Sequence, residues 1–538
     1  MVKIDKSLIL DTENSDLAWG SFSPGQPWNL DFKECELFEE NAKLIRSQAA
    51  IEAEKLLERK TFFPISRVFQ AVSRIGSAVF VWWIFDKRKG REKSYNSISK
   101  KLRKQFVHLG STYIKLGQII SSGDGLFPTE LVAEFKLLRD QVDAENFSEI
   151  KKVIEQDFKR PIETIFAKFD PQPLAAASIA QVHEAVLITG EKVVVKVQRP
   201  KVASRVKKDI KALTWMAPKM VGRIPITALA NPPALVEVFC ETICEELDFR
   251  LEAQSMLEVA KIFVKTNQQS IVVPRPYLSM VTQRVLVMEK MSGFQLDDIE
   301  SILNANIDPK EFIRAGLISF LEGALIHGVF HGDLHGGNLF VQTDGKTALF
   351  DFGITGHFNN SERIAFMRLI IAGMSGDVKQ QLIALKDMGA FPSDTDIDEV
   401  IIDLGIDKPV KDPTKMTSDQ LTNELKDLTK KLLGYGAHAP KELMLFVKNL
   451  MFLDNATGSL APDLDILEEI SHVYTYFMSE YGNKIFEELN LGVQDLQFDK
   501  NALLDSMGVE DKVDSLTYED IKARREIIKK RMIEKTDD

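Results

Sequence analysis

Two short segments carry residue types that few chemistries need together. HGDLHGGNLF, His331–Phe340, sets Asp333 and Asn338 five positions apart on one loop, and LFDFG, Leu349–Gly353, adds Asp351 thirteen positions later. Phosphoryl transfer from a Mg²⁺-bound nucleotide needs an acid beside the attacking hydroxyl or water and an amide oxygen for one Mg²⁺. It also needs a carboxylate for the Mg²⁺ that bridges the phosphates. Asp333, Asn338 and Asp351 offer those groups in that order. Lys196, in VVVKVQRP, is the fourth member. A strand of β-branched residues interrupted by one lysine implies a paired charge, because lysine is almost never buried alone. The segment resembles a VAIK strand, whose lysine contacts the α- and β-phosphates and ion-pairs with a helix carboxylate. A DFG triplet or a loop aspartate alone is an ordinary turn feature; the set of four is not.

The elements that must position these groups are legible in outline. LFVQ and TALF alternate as strands joined by Thr343–Lys346, and the Asp-Gly turn between them predicts a hairpin that returns Asp351 beside Asn338. Ala185–Ile188 and Val193–Val197, separated by Thr189, Gly190 and Glu191, predict a second hairpin carrying Lys196. Long helices follow at 201–220 and 232–265, then strand-like runs at Ile271–Val273 and Val285–Glu289. From Met291 to Asp538 the pattern is mainly helical, interrupted by the β segment around 339–350. Ahead of all this lie an irregular arm at 1–34, a helix at 36–60, and a helical stretch from Ser97 to about Lys168, broken at Gly123–Pro128 and Pro161.

The partner of Lys196 can be sought by helical geometry. On a regular helix over 232–252, Leu235, Phe239 and Ile243 define an apolar face, and Glu237, Glu241, Glu245, Asp248 and Glu252 fall on the solvated side. Glu246 lands in the apolar stripe, where an unpaired carboxylate is costly, so it should meet a buried cation, either Lys196 or Lys115. Lys115 lies on a helix that reads as buried on two sides: Phe106, Leu109, Tyr113, Leu116 and Ile120 form one apolar face, Val107 and Ile114 a second, with Gln118 beside it. LAAASIAQVH, Leu174–His183, occupies the place of a glycine-rich phosphate loop. Its alanines lack glycine's φ freedom and predict a stiffer turn. VLVMEKMSG leads a buried strand into Glu289, Lys290 and Met291, which resemble an inter-lobe hinge whose backbone receives adenine.

These residues resemble the UbiB family of atypical kinases, the aarF-domain-containing kinases, over roughly 95–360. YIKLGQ, Tyr113–Gln118, resembles the KxGQ signature; AAAS, Ala175–Ser178, stands in place of the glycine-rich loop; EELDFRLEA, Glu245–Ala253, resembles ExD with Glu246 and Asp248. The resemblance implies an α+β, protein-kinase-like two-lobe fold with a small β-sheet N-lobe, a mainly helical C-lobe and an N-terminal helical extension. The corresponding segments are an arm and helix at 1–95, the KxGQ-bearing extension at 96–170, the N-lobe at 171–290 and the C-lobe at 291–538. It further implies ATP and Mg²⁺ as cofactors, catalytic roles for Asp333, Lys196, Glu246, Lys115 and Gln118, and nucleotide contacts from Ala175, Ala176, Ala177, Ser178, Lys196, Glu289 and Met291. Asn338 and Asp351 become the metal ligands. The implied activity is that of an ATPase or small-molecule kinase in ubiquinone or related isoprenoid lipid metabolism, with a lipid or quinone-precursor ligand and biosynthetic protein partners. HGDLHGGN departs from HADPHPGN and GDGLFP from RPDLLP without removing a catalytic group, and no APE motif follows at a usable distance. Two alternatives stay open: a small-molecule kinase of the aminoglycoside or choline type, which shares HGDLHxGN, and a nucleotide-gated scaffold without turnover.

Bulk properties narrow the partners. With 44% hydrophobic and 27% charged residues the chain is neither disordered nor an integral membrane protein by composition, and a formal net charge of −11 disfavours nucleic acid. Cys35, Cys240 and Cys244 form neither a disulfide framework nor a zinc pattern, which fits a reducing compartment. Met1–Asp16 is neither a secretory signal nor a transit peptide, so the expected location is cytoplasmic. The longest apolar run, AVFVWWIF at Ala78–Phe85, is short of the ~20 residues of a spanning helix, so no transmembrane segment is expected. Nine Lys or Arg follow between Lys87 and Lys104, however, and such an aromatic and basic pairing suits attachment to the anionic inner face of a membrane.

Overall fold

The computed structural model describes residues 32–58, 64–121, 127–138, 143–220, 232–405 (apart from 267, 269, 297 and 306), 440–490 and 515–533, with short pieces between 427 and 437 and at 504. The arm before Phe32, most of the break at Gly123–Pro128 and the end of the chain beyond Ile533 lie outside the described residues. The chain divides into two compact units: one comprises 1–264, 272–292 and 350–354, the other 265–271, 293–349 and 355–538.

The first unit opens with helices α1 (Phe32–Leu57), α2 (Ile65–Phe85), α3 (Arg91–Leu109), α4 (Ser111–Ser121), α5 (Thr129–Lys136) and α6 (Phe147–Phe158). Strands β1 (Phe166–Ala176), β2 (Ala180–Leu187) and β3 (Lys192–Gln198) follow, then α7 (Val202–Met220), α8 (Pro232–Glu246) and α9 (Phe249–Lys265). After β4 (Ile271–Val272), at the boundary between units, come β5 (Pro276–Val281) and β6 (Val285–Glu289). The sheet runs β1-β2-β3-β6-β5 with antiparallel pairing throughout. One face of it is apolar: Val193, Val195, Val197, Val285 and Val287 pack with Ile150, Val153 and Ile154 of α6. Because side chains alternate along a strand, Lys196 must point to the other face. The expected hairpin around Gly190 forms, with that glycine at φ 101. Strand structure begins at Phe166, earlier than the expected change of period at Pro171, because Phe166 and Phe169 pair with Leu187 and Ala185 and their rings meet at 5.3 Å.

Two helical expectations need correction. The helix expected over 232–265 is two helices: α8 ends at Glu246, the chain turns through Leu247 and Asp248, and α9 restarts at Phe249. Asp248 caps that restart, its carboxylate accepting from the Arg250 N–H at 3.2 Å and from Arg250 Nε at 2.8 Å. In the amino-terminal part, the run Ala78–Phe85 is the end of a 21-residue helix, α2, long and apolar enough by length and composition to cross a membrane. The helix is bound along its side to the unit: Arg67 forks onto Asp209 of α7 at 2.5 and 2.8 Å and donates to the Leu109 carbonyl at 3.1 Å.

The second unit holds β7 (Phe294–Gln295), α10 (Ile299–Asn304), α11 (Pro309–Leu321), a π-helical turn at Glu322–His327 and β8 (Val329–His331). It continues with β9 (Leu339–Val341), β10 (Thr347–Leu349), β11 (Thr355–His357), α12 (Asn360–Met374), α13 (Val378–Asp387), α14 (Ile397–Leu404), α15 (Lys441–Leu460), α16 (Ile466–Leu489) and α17 (Tyr518–Ile533). The expected β9–β10 hairpin pairs Leu339 with Leu349 and Val341 with Thr347, turning at Gly345 with φ 83. Phe320, Phe330, Phe358, Phe366 and Phe446 form a contiguous aromatic core, with Phe366 and Phe446 centroids 4.5 Å apart. That core fixes β8, and therefore the loop after it, against α15.

Candidate active site

In the first unit Lys196 is almost fully buried and ion-pairs with two carboxylates: Glu252 Oε1 of α9 at 2.8 Å and Asp351 Oδ1 at 2.9 Å. Its ammonium lies 5.5 Å from the centre of the Phe249 ring, on the same helix as Glu252. Burial works to lower the lysine, but the Asp351 and Glu252 carboxylates outweigh it and hold the group above its ordinary value, fully charged. Burial also pushes the Glu252 carboxyl up to about 7; Lys196 pulls it down, while Asp351 and Glu246 add like-charge repulsion. Asp351 is the open member of the trio, with its side chain 47% exposed. It has a positive φ of 55, a conformation that aspartate tolerates better than most residues.

Glu246, left between two cations by the sequence, pairs with Lys115 at 2.6 Å, both side chains largely buried. The residue that takes Lys196 is Glu252, which a regular helix would have put in solvent along with Asp248. The break at Leu247–Asp248 resets the helical phase and turns Asp248 and Glu252 inward, both buried, while Glu237 and Glu241 remain exposed as expected. The two ion pairs are neighbours: a Cβ added at Gly353 would lie 3.2 Å from Asp351 Oδ1 and 3.9 Å from Glu246 Cγ. Lys115 is placed by α4, whose Ser111–Leu116 segment is buried except at the lysine itself. Gly117 lets α4 sit closely on α5, since a Cβ there would meet Leu138 Cδ1 at 2.3 Å. Gln118 follows on the same helix, partly buried, its carbonyl accepting from the Ser121 hydroxyl at 2.7 Å.

The alanine turn is built tightly. Ala175 and Ala176 end β1 opposite Val182 and Gln181, and the Ala177 N–H donates to the Ala180 carbonyl at 2.8 Å, with Ser178 buried. Arg199, not anticipated from the sequence, pins the turn by donating to the Ala177 carbonyl at 2.9 Å and to the Asp143 carbonyl at 2.7 Å. At the end of β6 the Glu289 N–H donates to Arg275 and the Lys290 N–H to Lys192, while Met291 is buried.

In the second unit the loop after β8 is organised around Asp333. The Asp333 N–H donates to His331 Nδ1 at 3.1 Å, and Asn338 Nδ2 donates to the Asp333 carbonyl at 3.0 Å. That bond engages the Asn338 amide N–H, and the amide oxygen is the atom a metal would take. Two residues of α15 complete the loop. Asn449, fully buried, accepts from the Leu334 N–H at 2.9 Å and donates to the His331 carbonyl, while Lys448 ion-pairs with Asp333 Oδ1. Neither had a signal in the sequence, because a lysine and an asparagine on a mostly apolar helix match no motif.

The donor set suits Mg²⁺. Among the described residues no group of three or more His, Cys, Asp or Glu could hold a metal by itself. Mg²⁺ bound beside a nucleotide takes one or two protein oxygens and completes its shell with phosphates and water. In the first unit the half-exposed Asp351 carboxylate is a donor of that kind, and in the second the Asn338 amide oxygen is another, each taken by itself.

Comparison with known proteins shows the family. Residues 137–384 match the ABC1 atypical kinase-like domain. An uncharacterized protein of Mycobacterium tuberculosis is 34% identical over 403 residues, covering 71% of this chain and 79% of that protein. A chloroplastic aarF domain-containing protein kinase of Arabidopsis thaliana is 31% identical over 395 residues, covering 68% of this chain and 73% of that protein. The chain belongs to the ABC1, or UbiB, family of atypical kinases. A probable protein kinase UbiB of Photobacterium profundum is 29% identical over 381 residues, 69% of this chain and 68% of that protein. The matched ABC1 span takes in the alanine turn, Lys196, Glu246, Glu252, Asp333, Asn338 and Asp351. Lys115 and Gln118 precede it; Lys448 and Asn449 follow it.

Proposed function

We propose that this UbiB-family chain moves the γ-phosphoryl group of ATP to water or a small acceptor, in a Mg²⁺-dependent reaction that serves isoprenoid quinone lipid metabolism at a membrane surface. The observation that carries the nucleotide part is the buried Lys196, held charged by Glu252 and by the more exposed Asp351. An apolar strand keeps such a cation only at a large desolvation cost, which its use against a polyphosphate would explain. In this reading Lys196 contacts the α- and β-phosphates and Glu252 aims it. Asp351 and Asn338 hold Mg²⁺, which when bound neutralises charge on the phosphate oxygens. Asp333 orients the acceptor O–H and takes its proton. The Ala175–Ser178 turn lies along the phosphates, the backbone at Glu289 and Met291 receives adenine, and the Lys115–Glu246 pair with Gln118 restricts access.

The quinone-lipid part rests on the resemblance to UbiB proteins. The membrane part has support in α2, where Ile65, Phe69, Val72, Phe80 and Trp83 recur at helical spacing on one face, all large and exposed. Lys87, Arg88 and Lys89 follow directly, exposed, and Lys100 and Lys104 continue the positive charge on α3. An apolar helix face beside basic residues is what an anionic interface binds.

Asp351→Asn tests the nucleotide reading. It leaves the fold nearly intact and removes the charged oxygen offered to the metal, so the Mg²⁺-dependent rise in melting temperature on adding ATP should disappear. An undiminished MgATP shift in the variant would refute the assignment.

A further inference from the structure

Two consecutive residues of α15 hold the loop that carries Asp333, each by a different part. Asn449 grips the backbone on both sides of the aspartate, through the His331 carbonyl and the Leu334 N–H. Lys448 reaches the carboxylate itself, through Oδ1. The helix cannot drift relative to the loop, because Phe446 is locked among Phe320, Phe330 and Phe366 one turn earlier. The side chains of Lys448 and Asp333 are 17% and 22% exposed, neither sealed in the core nor fully in water. An ordinary surface ion pair joins two mobile side chains and contributes little. This one joins an anchored helix to an anchored loop, at the carboxylate that phosphoryl transfer would need.

We propose that Lys448 is a positioning residue for Asp333, holding that carboxylate aimed at the acceptor. The inference rests on the phosphoryl-transfer reading above. In the step concerned, the acceptor O–H oxygen bonds to the γ-phosphorus as the bond from that phosphorus to the bridging oxygen of ADP breaks. The proton passes to Asp333 and ADP leaves. The ammonium, bound at Oδ1, fixes which carboxylate oxygen faces away from the acceptor and which is left to meet it. The residue lies beyond the matched ABC1 span, so tertiary contact and not motif assigns it.

The test is steady-state ATP hydrolysis by the full chain, comparing wild type with Lys448→Met, Lys448→Arg and Asp333→Asn. Lys448→Met should lower kcat by about ten-fold to a hundred-fold while KM for ATP stays within about two-fold. Lys448→Arg, which keeps the ion pair, should recover most of kcat. Unchanged kcat in Lys448→Met would overturn the proposal, as would a fall in kcat matched by an equal rise in KM, or a rise in kcat, which would make the pair an inhibitory lock. If Lys448→Met does not fold, the proposal stands or falls on Lys448→Arg against Lys448→Gln, the charged variant having to keep most of kcat and the neutral one having to lose it at unchanged KM. Full activity in Asp333→Asn, or none in wild type, would instead defeat the underlying phosphoryl-transfer reading, and the proposal with it.

Discussion

Replacing Glu252 by glutamine keeps the shape of the side chain and removes its charge. The folded protein raises this carboxyl from 4.5 to about 7, chiefly by burial. At about 1.4 kcal/mol per unit, ionising it in place costs roughly 3 kcal/mol more than in the unfolded chain. The folded state therefore holds the proton more tightly, so the stability linked to it is complete below about pH 4.5 and is lost as pH rises through about 7. Glutamine resembles the protonated form, and Lys196 is not orphaned by the change, since Asp351 Oδ1 remains 2.9 Å away. Coupling within the trio takes back part of the gain, leaving about 1–2 kcal/mol, or roughly 1–2 °C for a chain of this length. Melting curves from pH 5 to 8.5 should show Glu252→Gln equal to or above wild type at pH 8, with a flatter pH dependence between 5 and 7.5. Affinity for MgATP should fall about ten-fold, because Lys196 loses the carboxylate that aims it. A variant melting several degrees below wild type at pH 8, on an unflattened curve, would refute the reasoning and make the ion pair a net stabiliser.

Further consequences concern other parts of the chain. His327 ends the π-helical turn with its Nε2 unpartnered among the described residues, and burial, with Lys484, Lys265 and Arg363 nearby, lowers it to about 4. Its contribution is complete above pH 6.5 and is lost as pH falls from 6.5 towards 4, at most roughly 3 kcal/mol and about half of that once partial solvent access is allowed for; His327→Gln should flatten that limb of an acid melting series. Gly117→Ala places a methyl against Leu138 Cδ1 and should destabilise by about 1–3 kcal/mol in chemical denaturation, with MgATP affinity falling as Lys115 shifts. On α2, the pair Phe69→Glu and Trp83→Glu alters residues 74% and 60% exposed, so the melting temperature should hold while flotation with anionic liposomes drops about ten-fold or more. Retained flotation would remove α2 from the membrane reading.

The amino-acid sequence by itself determined the chemistry-bearing loop, the hairpin that follows it and the lysine strand. Each is local: Asp333 and Asn338 share one loop, Asp-Gly sets the β9–β10 turn, and alternation along β3 puts Lys196 opposite the valines. It also separated Glu246 as a buried carboxylate. What it could not decide was which carboxylate met which lysine. That depended on a two-residue break at Leu247–Asp248, and α-helical phase turns by about 100° per residue, so a short interruption moves every later side chain to a new face. Glu252 and Asp248 went inward for that reason. The continuous apolar run at Ala78–Phe85 likewise understated α2, because an amphipathic helix includes polar positions such as Arg67 that find partners only in the folded unit. Lys448 and Asn449 were beyond reach altogether. They meet the His331–Leu334 segment across more than a hundred residues of chain, and only the packing of Phe446 among its aromatic neighbours brings them there.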